Sequence, residues 1–71
     1  IYYNLACAQS RQNKTSRCLA SLSKAVENGY ADFAWMLDDG DLEGARATEP
    51  FKAWFVRVAP PSLADRVAAG R

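Results

Sequence analysis

The first apolar and small side chains of the sequence recur at the spacing of an α-helix. One face of a helix carries positions i, i+3, i+4 and i+7, and the chain fills them with Tyr2, Leu5, Ala6 and Gln9. Asn13 interrupts this run, and asparagine tolerates the left-handed backbone conformation that ends helices. The pattern therefore predicts a first helix that ends just before Asn13.

A second run of helical spacing follows a short polar turn. Thr15 or Ser16 is expected to cap its start, and Gly29 is expected to end it. Two helices joined by about three residues form an antiparallel hairpin. Small side chains such as Ala6 and Cys18 would let the two helix axes approach closely. Four larger side chains are expected to hold the hairpin together: Tyr2, Leu5, Leu22 and Val26.

The next part of the chain predicts two shorter helices. Asp32 is expected to cap a brief helix that runs to Leu37. Thr48 is expected to cap a second helix, with Pro50 in the first turn, where its missing N–H costs nothing. The apolar face of this second helix consists of Phe51, Trp54, Phe55 and Val58.

The end of the chain predicts one more helix. Pro60 and Pro61 stop the preceding helix, and Ser62 is expected to cap a last helix that ends at Gly70. No stretch alternates apolar and polar residues with a period of two, so no sheet is expected. The sequence predicts an all-α fold, an antiparallel helical hairpin followed by short capping helices.

Composition excludes several classes of function. The 71 residues suffice for one small domain. Nine basic and eight acidic residues give a formal charge of +1, which offers no electrostatic basis for binding nucleic acid or an anionic membrane. We expect no transmembrane segment, because the apolar runs are only a few residues long, and no targeting peptide is visible. Because the chain starts with Ile1 at the beginning of a predicted helix, we expect a processed chain or a fragment.

The sequence predicts no catalytic, metal or cofactor site. The chain has no histidine, so imidazole catalysis and His-ligated metal sites are excluded. It contains neither a nucleophile–base pair nor a Gly-rich phosphate loop. Cys7 and Cys18 lie on opposite arms of the predicted hairpin, and we expect two small buried thiols rather than a disulfide.

An acidic segment has two alternative interpretations. A calcium loop of the EF-hand type needs oxygen ligands at alternating positions and glycine at the sixth. Asp39 and Asp41 fit two of those positions, but Gly40 falls between them. We therefore expect a solvated acidic turn, with Asp41 as its cap and Arg46 paired with one of the carboxylates. The acidic residues of the segment are Asp38, Asp39, Asp41 and Glu43.

The stretch from residue 2 to residue 30 resembles the tetratricopeptide repeat (TPR). The signature of this 34-residue helix–turn–helix unit is W-x2-L-G-x2-Y, then A-x3-F, then P. The corresponding residues are Tyr2, Leu5, Ala6 and Gln9, then Cys18 and Leu22, with Lys24 and Ala25 near the end of the second helix. Gln9 in place of the tyrosine and Tyr30 in place of the proline depart from the signature.

The continuation resembles a tail that often follows the last repeat of this family. The matching residues are Gly29, Tyr30, Asp32, Leu37, Asp39, Asp41, Leu42, Arg46, Phe51 and Trp54. The resemblance implies a TPR-like hairpin at residues 1–30, a C-terminal helical cap at 31–59 and a proline-initiated short helix or tail at 60–71. We expect the large side chains of the cap to form a core over the hairpin, with a ligand-binding aromatic cage as the alternative; they are Phe33, Trp35, Met36, Phe51, Trp54 and Phe55.

The resemblance also implies a function. In this family the first helix of a repeat lines a groove that holds a partner protein or peptide. The groove positions carried over are Tyr3, Asn4, Cys7, Ser10 and Arg11. Asn4 stands at a position where some members of the family bind a partner's C-terminal carboxylate. A guanidinium such as that of Arg11 can bind a carboxylate through two parallel hydrogen bonds. The implied function is a non-catalytic protein-interaction or assembly module without a cofactor.

Two alternatives stay open. The chain could be a structural subunit or fragment permanently embedded in a large complex, with Trp35, Trp54 and Phe55 at the interface. TPR modules with this kind of tail also occur in chloroplast proteins that help assemble photosystems, so the resemblance implies a chloroplast complex as one setting. The chain could instead be the interaction domain of a longer enzyme, in which its own residues do no chemistry.

Overall fold

The computed structural model describes residues 1–69, and all regular structure in that range is helical. This confirms the predicted all-α class; the predicted helix end at Gly70 lies outside the described residues. A single 3-10 turn, Gly40–Leu42, separates α3 from α4. The helices are α1 (Tyr2–Arg11), α2 (Thr15–Glu27), α3 (Phe33–Asp38), α4 (Glu43–Arg46), α5 (Glu49–Val58) and α6 (Pro61–Ala69).

The first two helices form the predicted hairpin, and Asn13 sets its turn. The φ angle of Asn13 is 61°, which is the left-handed conformation that ends a helix. The N–H of Lys14 donates to the carbonyl of Gln9 at 2.9 Å, and the N–H of Asn13 donates to that of Ser10 at 3.0 Å. These two bonds make a Schellman motif, so α1 ends where the sequence predicts.

The second helix ends with the same motif at Gly29. Its φ angle is 100°, a backbone conformation that favours glycine. The N–H of Tyr30 donates to the carbonyl of Ala25 at 2.9 Å, and the N–H of Gly29 donates to that of Val26 at 3.0 Å. The turn directs the chain after Tyr30 back towards the hairpin.

Two of the four predicted helix caps are confirmed and two are wrong. Asp32 accepts the N–H of Trp35, and Thr48 accepts the N–H of Phe51. Thr15 is the first residue of α2 and gives no side-chain cap. Ser62 lies inside the first turn of α6, because that helix already begins at Pro61.

The core lies between the hairpin and α5. Small side chains line the contact of α1 with α2, where Ala6 and Cys18 are completely buried, and the hydroxyl of Ser21 donates to the side-chain oxygen of Gln9 at 2.7 Å. The indole N–H of Trp54 donates to the hydroxyl of Ser23 at 2.9 Å and ties α5 to α2. The cap contributes most of the large buried side chains: Phe33, Met36, Leu42, Phe51, Trp54 and Phe55.

The packing corrects three of the sequence predictions. Trp54 and Phe55 belong to the core, so they do not form an outward interface in this fold. Tyr2 and Leu5, predicted to hold the hairpin together, are 41% and 46% exposed. Trp35, predicted to be either core or interface, is 49% exposed and so is available at the surface.

Candidate interaction site on the first helix

Two sides of α1 differ in what covers them. Residues 39–45, here named the strap, pack across one side. The strap includes the 3-10 turn and the start of α4, and it buries Leu42 and Ala45. A Cβ atom on Gly44 would lie 3.4 Å from the Ser10 carbonyl oxygen, so the strap passes close to the backbone of α1.

Asp39 joins the strap to α1. The hydroxyl of Tyr3 donates to its carboxylate at 2.7 Å, and the thiol of Cys7 lies 3.7 Å from the same oxygen. The other carboxylate oxygen accepts the N–H of Asp41 at 2.9 Å. Asp39, and not Asp41 as the sequence predicts, therefore caps the 3-10 turn. It is also only 7% exposed, which contradicts the predicted solvated position.

The ionised form of Asp39 is favoured by its contacts. Burial opposes ionisation, but the hydrogen bonds from Tyr3, from the Asp41 backbone and from Cys7, together with the nearby Arg46, hold the pKa of Asp39 below its ordinary value. Arg46 does not pair with a carboxylate as predicted, because its guanidinium donates to the backbone carbonyls of Met36 and Asp39. It thus fixes the end of α3 beneath the strap.

Further contacts hold the strap and the residues before α3 on α1. Ser10, which is buried, accepts the N–H of Ala45 at 3.2 Å. Arg11 lies 3.2 Å from the carboxylate of Asp41, and both side chains are more than half exposed. The rings of Tyr3 and Tyr30 stack with centroids 4.5 Å apart. Burial raises the pKa of both phenols, so both rings stay neutral and packed at physiological pH.

The predicted groove residues are therefore divided by the strap. Cys7 is only 5% exposed and Tyr3 is half-buried, so the prediction that both are free to meet a partner is wrong for this fold. The physical reason is that the chain's own strap already lies on them. Asn4 is exposed, and Arg11 is exposed but paired with Asp41. Whether these two side chains bind a partner stays a prediction.

The other side of α1 carries uncovered apolar side chains. Ile1 is fully exposed, and Tyr2 and Leu5 are about half exposed. Positions three and four apart lie together on a helix surface, so the three form one patch, here named the outer face. Helical periodicity groups Tyr2 and Leu5 on one face of α1, but it does not show whether that face packs against the rest of the chain. For this reason the sequence pattern placed both residues in the core.

Both cysteines are free and buried, as the sequence predicts. Burial raises the pKa of the Cys18 thiol to about 11. Burial, with the charges of Asp39 and Asp41, raises the pKa of the Cys7 thiol to about 11 as well. The folded chain therefore keeps both thiols protonated and unreactive at neutral pH.

The raised thiol pKa values predict a loss of stability at alkaline pH. In the unfolded chain the thiols ionise near their ordinary pKa of 9.0, and in the folded chain near about 11. A thiol whose pKa is higher in the folded chain contributes fully to the free energy of unfolding below the pKa of the unfolded chain. This contribution is lost as the pH rises towards the pKa of the folded chain. Urea denaturation should give a lower free energy of unfolding at pH ~10 than at pH ~8. Equal values at both pH settings would contradict the burial of the thiols.

Cys7, Asp39 and Asp41 are the cluster in the described range that could hold a metal ion. One sulfur and two carboxylate oxygens lie within 4.8 Å of one another. Structural zinc sites use four protein ligands, and these three groups already contact Tyr3, Arg11 and the strap backbone. In this fold the three side chains attach the strap to α1.

No pocket is found among residues 1–69, and no helix in that range is long and apolar enough to cross a membrane. The outer face is an apolar patch on α1 that the rest of the described chain leaves uncovered.

Comparison with known proteins gives a partial similarity. No family model matches the chain, and no solved structure matches it. The chain is 39% identical over 49 residues to a chloroplastic protein of Arabidopsis thaliana. The match covers 69% of this chain and 15% of the Arabidopsis protein. The chain thus resembles a small part of a much longer chloroplast protein.

Proposed function

We propose that the chain is a non-catalytic protein–protein interaction or assembly module of the TPR type. Its α1–α2 hairpin carries the spacing of the repeat, and residues after Gly29 close one side of that hairpin. In repeat proteins each hairpin has two sides to cover, and neighbouring units cover them. This chain covers one side with its own strap and cap, and its outer face is left for a partner.

The exposure of the outer face is the observation that carries this proposal. Phe51 and Phe55 are at most 1% exposed, so the chain can bury large apolar side chains where it has cover for them. Tyr2 and Leu5 nevertheless stay about half exposed beside Ile1. Tyrosine at a protein surface is typical of interfaces, since its ring is apolar and its hydroxyl can stay hydrated.

We propose a helical partner for this face. Ile1 and Tyr2 lie four and three residues before Leu5, and an apolar patch with this spacing matches a second amphipathic helix laid alongside α1. Asn4 is exposed next to Leu5 and can donate to a backbone or side-chain oxygen of that partner. The resemblance to part of a chloroplast protein makes a chloroplast assembly the setting we propose.

A structural subunit of a larger complex is the second candidate, and Trp35 favours it. This side chain is 49% exposed on α3, and large exposed aromatics concentrate at interfaces. Trp54 and Phe55, which the sequence placed at the same interface, lie in the core. An interface of this second kind would therefore depend on Trp35.

The double variant Tyr2→Ser/Leu5→Ser should weaken partner binding without loss of the fold. Covering the exposed half of each side chain contributes about 1 kcal/mol, so we expect the Kd to rise at least about tenfold. The partner is found by placing a photo-crosslinking amino acid at position 2 and, in parallel, at position 35. Each cross-linked protein is then purified, and its Kd for the unchanged chain and the variant is measured by calorimetry.

The control is Trp35→Ser in the same binding assay. The proposal requires that this variant keeps the Kd of the unchanged chain, and that both variants keep the helical circular dichroism spectrum. A Kd that rises for Trp35→Ser and not for the double variant would support the second candidate. The absence of any cross-link at position 2 would count against the outer face.

A further inference from the structure

The charged side chains are distributed unevenly along the sequence. Every charged side chain of residues 1–26 is basic, and these residues are Arg11, Lys14, Arg17 and Lys24. Residues 27–49 carry seven acidic side chains and one basic side chain. The small net charge of the whole chain therefore hides a positively charged hairpin and a negatively charged segment that follows it.

The strap neutralises the positive charge of the hairpin on one side only. Asp41 of the strap lies 3.2 Å from the guanidinium of Arg11. Arg17 forms no ion pair within residues 1–69. Lys24 lies 3.9 Å from Glu27, and both of these side chains are more than half exposed. Exposed pairs of this kind contribute little to stability, so Arg17 and Lys24 remain available to pair with another molecule.

One hydrogen bond locates Arg17 and Lys24 relative to the outer face. The hydroxyl of Ser21 donates to the side-chain oxygen of Gln9 at 2.7 Å and joins α2 to α1. Gln9 lies four residues after Leu5 on α1. Ser21 lies four residues after Arg17 and three before Lys24 on α2, and residues with these separations share a helix face. The bond therefore marks a seam between the two helices, with the outer face on one side and the two cations on the other.

The opposite edge of α2 packs against α5. There the indole N–H of Trp54 donates to the hydroxyl of Ser23. Ser23 lies two residues after Ser21, and residues with this separation do not share a helix face. Arg17 and Lys24 are both exposed, and they lie on the edge of α2 that α5 leaves free. These two side chains are here named the basic rim.

We propose that the partner of the outer face is an acidic amphipathic helix. Its apolar stripe would cover Tyr2 and Leu5, and its carboxylates would pair with the basic rim. The inference rests on the proposed function and adds the charge of the partner. The guanidinium of Arg17 can bind a carboxylate through two parallel hydrogen bonds, and the ammonium of Lys24 adds a point charge. Opposite charge on the partner also speeds association.

A polypeptide fits this surface better than an anionic membrane. Asn4 is exposed beside Leu5, and Gln9 is half-buried at the seam; amide side chains of this kind can bond to a peptide backbone. Helices that lie in a membrane surface carry many Lys and Arg residues on their polar face. Arg11 is the one basic residue of α1, and it already pairs with Asp41.

The segment that cross-links to position 2 gives the first test. Digestion of the cross-linked complex and mass spectrometry identify the part of the partner joined to the photo-crosslinking amino acid. The proposal expects apolar residues at helical spacing, flanked by more Asp and Glu than Lys and Arg. A segment with an excess of Lys and Arg, or a segment of a second copy of this chain, would overturn the proposal.

Arg17→Glu tests the basic rim with little risk to the fold. The first turn of α2 contains no acidic residue, the helix dipole favours one there, and the substitution breaks no ion pair within residues 1–69. The association rate with the cross-linked partner should fall, and the Kd should rise at least about fivefold at low ionic strength. This difference should shrink in ~0.5 M NaCl, because salt screens exposed charges. Arg17→Gln should give an intermediate Kd.

Arg57→Glu is the matched control, because it makes the same change of net charge at an exposed residue of α5. It should leave the Kd within about twofold of the unchanged chain. Equal Kd values for Arg17→Glu and the unchanged chain would overturn the acidic partner and leave the proposed function standing. The proposed function itself fails if position 2 gives no cross-link. Binding to phosphatidylglycerol vesicles that Arg17→Glu abolishes would assign the basic rim to a membrane and would also overturn the proposal.

Discussion

Phe55→Ala should remove a large part of the stability of the domain. Phe55 is completely buried, with the ring of Phe33 edge-on at 6.1 Å and that of Phe51 stacked at 5.7 Å. Truncation of a buried phenylalanine costs about 3–5 kcal/mol, and a domain of this size has roughly 4–11 kcal/mol in total. Thermal unfolding followed by circular dichroism should show a Tm lower by more than about 12 °C.

Val56→Ala is the matched control for this prediction. Val56 is the next residue on α5, but its side chain is exposed, so the substitution should change the free energy of unfolding by less than about 0.5 kcal/mol. If Phe55→Ala melts within a few degrees of the control, the cap does not supply the core of the domain.

Asp39→Ala should be the most damaging substitution of a charged residue. It removes the partner of the Tyr3 hydroxyl, of the Cys7 thiol and of the Asp41 N–H at one time. Hydrogen bonds to charged groups contribute about 1.5–3 kcal/mol, and we expect a loss of about 2–3 kcal/mol in urea denaturation at neutral pH. The loss should appear as a lower midpoint with a similar slope.

Asp38→Ala is the control, because Asp38 is an exposed neighbour of the same charge. Asp38→Ala should leave the midpoint of urea denaturation nearly unchanged. The pH dependence gives a second check, because the pKa of Asp39 is lower in the folded chain than in the unfolded chain. Ionised Asp39 therefore stabilises the fold above the unfolded pKa of about 3.9, and this stabilisation is lost as the pH falls further. The difference in free energy of unfolding between Asp39→Ala and the unchanged chain should therefore become smaller as the pH is lowered. A difference that stays constant would contradict the role of ionised Asp39 as a hydrogen-bond acceptor.

Local signals in the sequence were sufficient for the helices and most of their ends. Asn13 and Gly29 take the positive φ angles expected of helix stops, and Asp32 and Thr48 cap the helices that follow them. These features depend on backbone conformations and bonds between neighbouring residues, which a single sequence carries directly. Thr15 and Ser62 fail as caps because each helix begins earlier than expected.

The periodicity of the sequence could not predict contacts between residues that are far apart along the chain. Periodicity identified Phe51, Trp54 and Phe55 as one face, and all three are buried as expected of a core face. It could not show that Asp39 reaches Tyr3 across 36 residues, so an acidic residue expected in solvent is buried.

The candidate site lies on a different side of α1 from the predicted groove, because contacts between distant residues decide which side is covered. The sequence placed Cys7 in an open groove, whereas residues 39–45 cover it, and it placed Leu5 in the core, whereas it is exposed. A helix with two apolar sides offers no local signal of which side its own chain will cover. The exposure of Tyr2 and Leu5 became visible only with the packed fold.

Oxidative footprinting of the complex tests the central claim most directly. The purified chain is labelled alone and with the cross-linked partner, and the modification rates of Tyr2 and Trp35 are compared by mass spectrometry. Both side chains are about half exposed in the free chain, so each can report protection. The account predicts that the partner protects Tyr2 and leaves Trp35 unchanged; protection of Trp35 with Tyr2 unchanged would contradict it.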